Sequence, residues 1–263
     1  MARRARGKSK AARAEGDRAG LPAPIATWFE ARGWTPRAHQ LQLIDKAREN
    51  RDTLLIAPTG AGKTLAGFLP SLIELTAHEN AAPEKGSSLH TLYISPLKAL
   101  AVDIQRNLTQ PVAEMGLDIS IETRSGDTST GKRQRQRVKP PHILLTTPEQ
   151  LALLLAHEDG AWLFAHRRPI VLDERHALAP SKRGDLLALG LARLRRIAPG
   201  VRMTGLSATV ARPSELRAYL AEQGAPDDHI RLADLVTVRG GVAPEIEILE
   251  GDDPLPWAGH TAR

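Results

Sequence analysis

Residues Thr53-Leu54-Leu55-Ile56-Ala57-Pro58-Thr59-Gly60-Ala61-Gly62-Lys63-Thr64 decide the fold. A short β-branched and aliphatic run enters a Gly-bearing turn, and the turn opens onto Leu65-Ala66-Gly67-Phe68-Leu69. The order predicts a buried strand, a loop of phosphate size and the start of a helix. Gly60 and Gly62 let the backbone turn its N–H groups inward, where a Cβ would block close approach. The helix N-terminus adds its partial positive charge at the same place. Lys63 supplies a full charge for β- and γ-phosphates, and the Thr64 hydroxyl is a ligand for Mg²⁺. Ala57 stands where the strict phosphate-loop pattern begins with Gly.

Working outward, 263 residues set a prior of one or two domains with a real core. The absence of cysteine excludes disulfides, iron–sulfur clusters and thiolate zinc sites. The sequence has neither an apolar run of membrane-spanning length nor a secretory leader, which predicts a soluble, cytoplasmic protein. The formal charge of +6 resides almost wholly in residues 1–20, which carry +5. That Arg/Lys/Ala/Gly-rich stretch is predicted to be a disordered basic tail. It either touches nucleic acid non-specifically or is a solvated leader.

Folding is predicted to begin at Leu21, with Ile25, Trp28, Phe29 and Trp34 as an apolar cluster. Thr35-Pro36 reads as a helix start, and the helix carries Gln40, whose amide can pair with N6 and N7 of adenine. Later strands are predicted at 91–95, 119–123, 143–146, 170–172 and 203–206. Helices are predicted near 96–115, 132–137, 151–155, 185–197 and 214–222. Six near-continuously apolar strands alternating with helices call for a mainly parallel sheet with helices on both faces. In such a sheet ligands sit at the carboxyl ends of the strands.

The strand Ile170-Val171-Leu172 delivers Asp173-Glu174-Arg175-His176 to its end. Downstream of a phosphate loop, this places Asp173 as the Mg²⁺ anchor and Glu174 as the group that orients the attacking water. Ala57 to Thr64, the Asp173–His176 box and Ser207-Ala208-Thr209 then resemble motifs I, II and III of superfamily 2 helicases. Gln40 matches the adenine-reading glutamine of those enzymes, and Ala at the first position of motif I is common among them. His176 is similar to the DExH class. The stretches Pro96-Leu97-Lys98-Ala99-Leu100, Arg124-Ser125-Gly126-Asp127-Thr128 and Thr146-Thr147-Pro148-Glu149 resemble the large helicase-related (Lhr-like) family, and within it the bacterial ligase-associated DExH helicases.

The resemblance implies a RecA-like, ATP- and Mg²⁺-binding lobe over residues 21–234. It implies catalytic roles for Lys63, Asp173, Glu174 and His176, and nucleotide contacts from Gln40, Ala57, Pro58, Thr59, Gly60, Ala61, Gly62, Lys63 and Thr64. Pro96, Leu97, Lys98, Arg124, Gly126, Asp127, Thr147, Pro148 and Glu149 would touch a single strand, and Ser207, Ala208 and Thr209 would couple the two sites. It further implies a DNA-repair setting in the bacterial cytoplasm, with a DNA ligase and a nuclease as partners. Residues 235–263 are expected to form β segments leading into a linker, with the second lobe and its arginine finger outside this chain. The chain on its own is therefore expected to turn over ATP slowly. Arg175 departs from the aliphatic residue usual in Lhr-like boxes. Several readings stay open: a DNA helicase component, a truncated ATP- and strand-binding module, an RNA helicase lobe, or an unrelated P-loop ATPase.

Overall fold

A computed structural model describes residues 20–79, 89–158, 160–164, 169–173, 181–208, 210–224 and 229–238. In chain order the elements are α1 (Ala23–Ala31), α2 (Ala38–Arg48), β1 (Thr53–Ile56), α3 (Lys63–Glu79), β2 (Thr91–Ile94), α4 (Lys98–Glu114), β3 (Ile121–Arg124) and α5 (Thr130–Val138). They continue with β4 (Ile143–Thr146), α6 (Pro148–Ala156), α7 (Gly160–Phe164), β5 (Ile170–Asp173), α8 (Lys182–Ile197), β6 (Met203–Ser207), α9 (Pro213–Leu220) and β7 (Asp234–Thr237). Among the described residues, no helix is long and apolar enough to cross a membrane.

The strands form one seven-stranded sheet in the order β3-β4-β2-β5-β6-β1-β7, and every pairing is parallel. Both faces are covered, which is why the strands read as apolar runs rather than alternating ones. Leu55, Tyr93, Leu145, Val171 and Leu206 pack in one core with α1 to α4. Leu54, Leu92, Leu144, Leu172 and Met203 of the same strands pack in a second core with α6 to α9. Side chains alternate across a strand, so adjacent residues serve opposite cores. Gly67 sets how closely α3 lies on the sheet, since a Cβ there would stand 2.8 Å from Leu206 Cδ1.

Several boundaries differ from the sequence reading. Helix α2 begins at Ala38, not at Pro36, with Arg37 extended before it. Arg37 is drawn out of the helix by its own bonds: its N–H donates to Gln40 Oε1 (2.9 Å) and its guanidinium to the Gly60 carbonyl (3.1 Å). Strand β3 begins two residues later than expected, at Ile121. Its register is set by the Ser120–His142 contacts, with the Ser120 N–H donating to His142 Nδ1 at 3.0 Å. Helix α8 begins earlier, at Lys182, because the Ser181 hydroxyl accepts the Gly184 N–H at 3.3 Å. The seventh strand, β7, lies at the start of the stretch read as β segments leading into a linker; the sequence reading did not place it in the sheet, where it pairs with β1, Leu54 opposite Leu235 and Ile56 opposite Thr237.

Candidate functional site

The loop after β1 has the geometry that its glycines predict. Gly60 and Gly62 adopt φ of 78° and 77°, a region open to glycine at no steric cost. The first bond into α3 runs from the Ala66 N–H to the Gly62 carbonyl (3.0 Å). The N–H groups of Lys63, Thr64 and Leu65 thus have no carbonyl one turn behind them within the helix. Lys63 Nζ curls back over the loop to the Ala57 carbonyl at 2.9 Å. These features together are a cradle for a phosphate, with donors, a dipole end and one ammonium.

Helix α2 braces this loop from behind. Arg37 holds the Gly60 carbonyl. The His39 ring lies against the Ala61 backbone, and burial lowers its pKa, which favours the neutral ring. The Gln40 amide nitrogen is 3.2 Å from where a Cβ on Gly62 would be. Gln40 is 3% exposed; its Oε1 holds the Arg37 N–H and keeps a second lone pair.

Asp173 ends β5 and Ser207 ends β6, the two strands next to β1 on one side. The Ser207 carbonyl accepts the Ala57 N–H at 3.1 Å, tying the end of β6 to the start of the phosphate loop. Asp173 is buried and accepts a hydrogen bond from the Tyr93 hydroxyl. Thr64 and Asp173 are hard oxygen donors, the type that fits Mg²⁺ held mainly by substrate phosphates. Ala208 follows the end of β6. Glu174, Arg175, His176 and Thr209 lie outside the described residues.

The remaining predicted residues gather on the other half of the same edge, at the ends of β2, β4 and β3. Leu97 and Lys98 are exposed at the start of α4, whereas Pro96 is buried. Lys98 Nζ forms an ion pair with Asp127, which follows exposed Gly126 in the loop after β3. Thr147 and Pro148 are buried and start α6, the ordinary helix-start role for such residues. Arg124 departs from expectation. It is 3% exposed and donates to the Arg133 carbonyl at 3.1 Å, so it fastens α5 to β3 instead of facing solvent. Burial, followed by repulsion from Arg133 and Arg137, lowers its pKa.

A DEAD/DEAH box helicase family model matches residues 37–216. The chain belongs to the DEAD/DEAH box helicase family. This helicase domain is 42% identical over 208 residues to the Lhr helicase/probable uracil glycosylase of Mycolicibacterium smegmatis, covering 74% of this chain and 14% of that protein. It is 38% identical over 216 residues to the ATP-dependent helicase Lhr-Core of Methanocaldococcus jannaschii, covering 78% of this chain and 25% of that one. The chain thus spans a quarter or less of these curated relatives. The solved structure of Mycobacterium smegmatis helicase Lhr bound to ssDNA and AMP-PNP is similar at a TM-score of 0.71 and 36% identity, over 84% of this chain and 28% of that chain. The DEAD-box helicase Mss116 bound to ssRNA and UDP-BeF is similar at 0.66 and 19% identity, over 83% of this chain and 43% of that chain, a likeness of fold alone. The sheet is the RecA-like helicase fold that the motifs led us to expect.

Two of the predicted positions have partners that the linear motifs do not mark. Tyr93 lies in β2, far from Asp173 in sequence. Arg183, on the first turn of α8, reaches Glu149. The Arg183 bond is the largest cause holding the Glu149 carboxyl down from 4.5 to about 2. A depressed carboxyl contributes stability that is present above pH 4.5 and is lost as pH falls toward about 2. The side chains are 43% and 45% exposed, so the pair is worth about 1 kcal/mol or less. Arg183→Gln is expected to return the Glu149 titration midpoint toward 4.5 in an NMR pH titration. An unmoved midpoint would assign the shift to the α6 N-terminus.

Proposed function

We propose that this helicase domain is an ATP-binding motor lobe that grips a single strand beside its nucleotide site. The carrying observation is the division of one sheet edge. The phosphate loop, Asp173 and Ser207 end three adjacent strands, and the Lys98, Thr147 and Asp127 segments follow the other three in the β3-β4-β2 run. A strand on the second half would lie beside the nucleotide on the first, so one could report on the other.

In this reading Gln40 pairs with adenine, and residues Ala57 to Lys63 hold the phosphates. Thr64 and Asp173 hold Mg²⁺, which neutralises phosphate charge when bound. Glu174 orients the attacking water, His176 shares in the catalytic step, and Ser207, Ala208 and Thr209 link the two halves. Lys98, Leu97 and the backbones around Pro96, Gly126, Asp127, Thr147, Pro148 and Glu149 take the strand, reading phosphates and not sequence. We extend the reading to DNA as the strand, which draws support from the ssDNA in the Lhr structure. The further extensions are a second RecA-like lobe that supplies the arginine finger, and a bacterial cytoplasmic repair setting with a DNA ligase and a nuclease. The domain division at 21–234 belongs to the same proposal, with its end moved to include β7.

The test is fluorescence anisotropy with labelled oligo(dT) and oligo(U), with and without AMP-PNP·Mg²⁺. Binding of oligo(dT) that changes with the nucleotide is expected. No binding of either strand would overturn the strand reading, and tighter oligo(U) binding would favour RNA. Base choice is a separate expectation. Calorimetry should show a preference for ATP over GTP, and Gln40→Ala should shrink it. Equal affinity of the unmutated chain for both nucleotides would remove Gln40 from the site.

A further inference from the structure

We infer that Tyr93 is a positioning residue that fixes Asp173 for the metal end of the nucleotide site. The inference rests on the nucleotide reading above. Tyr93 is fully buried in the middle of the sheet. Strands β2 and β5 are neighbours, with Tyr93 opposite Val171 and Ile94 opposite Leu172. Alternation puts Tyr93, Val171 and Asp173 on the same face, where the Tyr93 hydroxyl donates to Asp173 Oδ2.

The other side of the ring meets Phe68, with centroids 5.2 Å apart and planes at 24°. Phe68 is also fully buried and lies on α3, the helix that begins with Lys63 and Thr64. A continuous buried path therefore runs from the helix bearing one hard oxygen donor, through two stacked rings, to the carboxylate bearing the other. Close-packed rings do not yield in small steps. The stack sets where Asp173 stands relative to Thr64.

The hydroxyl is the informative atom. Packing alone would be served better by phenylalanine, because a buried hydroxyl costs free energy unless it is bonded. Its bond engages one carboxylate oxygen, and a carboxylate offers about four lone-pair sites. Tyr93 thus orders the carboxylate before a cation arrives. Such outer partners of metal ligands are worth about 10- to 100-fold in metal affinity.

The test is calorimetric titration of the full chain with ATP across a series of Mg²⁺ concentrations and in EDTA. Tyr93→Phe keeps the ring stack and removes the hydroxyl. The Mg²⁺ concentration needed for half-maximal tightening of ATP is expected to rise about tenfold, while affinity in EDTA stays at the unmutated value. In an Asp173→Asn background, Tyr93→Phe is expected to add nothing. An unchanged Mg²⁺ dependence, or an equal loss with and without Mg²⁺, would overturn the inference and leave Tyr93 as core packing. Phe68→Leu, which keeps the hydroxyl and loosens the stack, is expected to shift the Mg²⁺ dependence the same way by less. If Tyr93→Phe does not fold, an unshifted Phe68→Leu overturns the inference. An unmutated chain whose ATP affinity ignores Mg²⁺ would overturn the metal reading itself, and this inference with it.

Discussion

Lys63→Ala is expected to weaken ATP·Mg²⁺ binding by about 10- to 150-fold, the equivalent of about 1.5–3 kcal/mol for a lost hydrogen bond to a charged group. The ammonium is already in place over the loop, bonded to the Ala57 carbonyl at 2.9 Å. Meeting a phosphate exchanges a neutral acceptor for a charged one, and the swap requires little ordering of a long side chain. Alanine removes the charge and leaves the loop glycines and the helix end, so weak phosphate affinity should survive. Isothermal titration of both proteins measures the difference, with thermal unfolding as the control for folding. Equal affinities would mean that the loop after β1 is not a phosphate site, whatever its likeness to one.

Arg202→Ala is expected to lower stability by about 2–4 kcal/mol, through a network at the opposite end of the sheet. Arg202 is 9% exposed; it donates to the Ala47 carbonyl at 3.0 Å and to Glu74 at 2.8 Å. Glu74 also meets His90 Nε2 at 3.2 Å. The three side chains join α3 to the entrances of β2 and β6, and the Ala47 bond adds α2. Removing one member of a buried ion pair costs about 3–5 kcal/mol, because the other is stranded. Glu74 is 32% exposed, so water recovers part of that cost. For a domain of this size the loss is a fall in Tm of about 4–16 °C.

The pH dependence gives this prediction its sign. Burial pushes the Glu74 carboxyl up, but its bonds to His90 and Arg202 more than offset that, so it sits below the ordinary 4.5. Its contribution is present above pH 4.5 and lost as pH falls below it. The Tm gap between the two proteins should therefore be full near neutrality and should narrow in acid. A gap of constant width would assign the loss to packing of the arginine stem and not to its charge.

The phosphate loop was legible because it is local. Strand, glycines, lysine and helix are consecutive, and the positive φ that the turn takes at Gly60 and Gly62 is one that glycine reaches at no steric cost. The parallel sheet was legible for a related reason. Near-continuous apolar strands separated by helices have few other ways to cover both faces. Helix starts were less secure. Arg37 left the helix for Gly60, a partner 23 residues away, which no capping preference near Thr35 could reveal.

Sequence alone thus determined the strand–helix order, the burial of both faces of the sheet and the residue types carried at the strand ends. The tertiary structure decided which ends stand together. The order β3-β4-β2-β5-β6-β1-β7 follows from long crossovers, and it separates the carboxyl edge into two halves. It also decided which side chains reach the site. Arg124 stands within a stretch that the sequence reading assigned to strand contact, yet its guanidinium is buried under α5. Tyr93 reads as an ordinary core residue, yet it meets Asp173 across 80 residues of chain. The physical reason is common to both. Local sterics and periodicity act over a few residues, whereas hydrogen-bond partners are chosen only when packing has brought distant strands side by side.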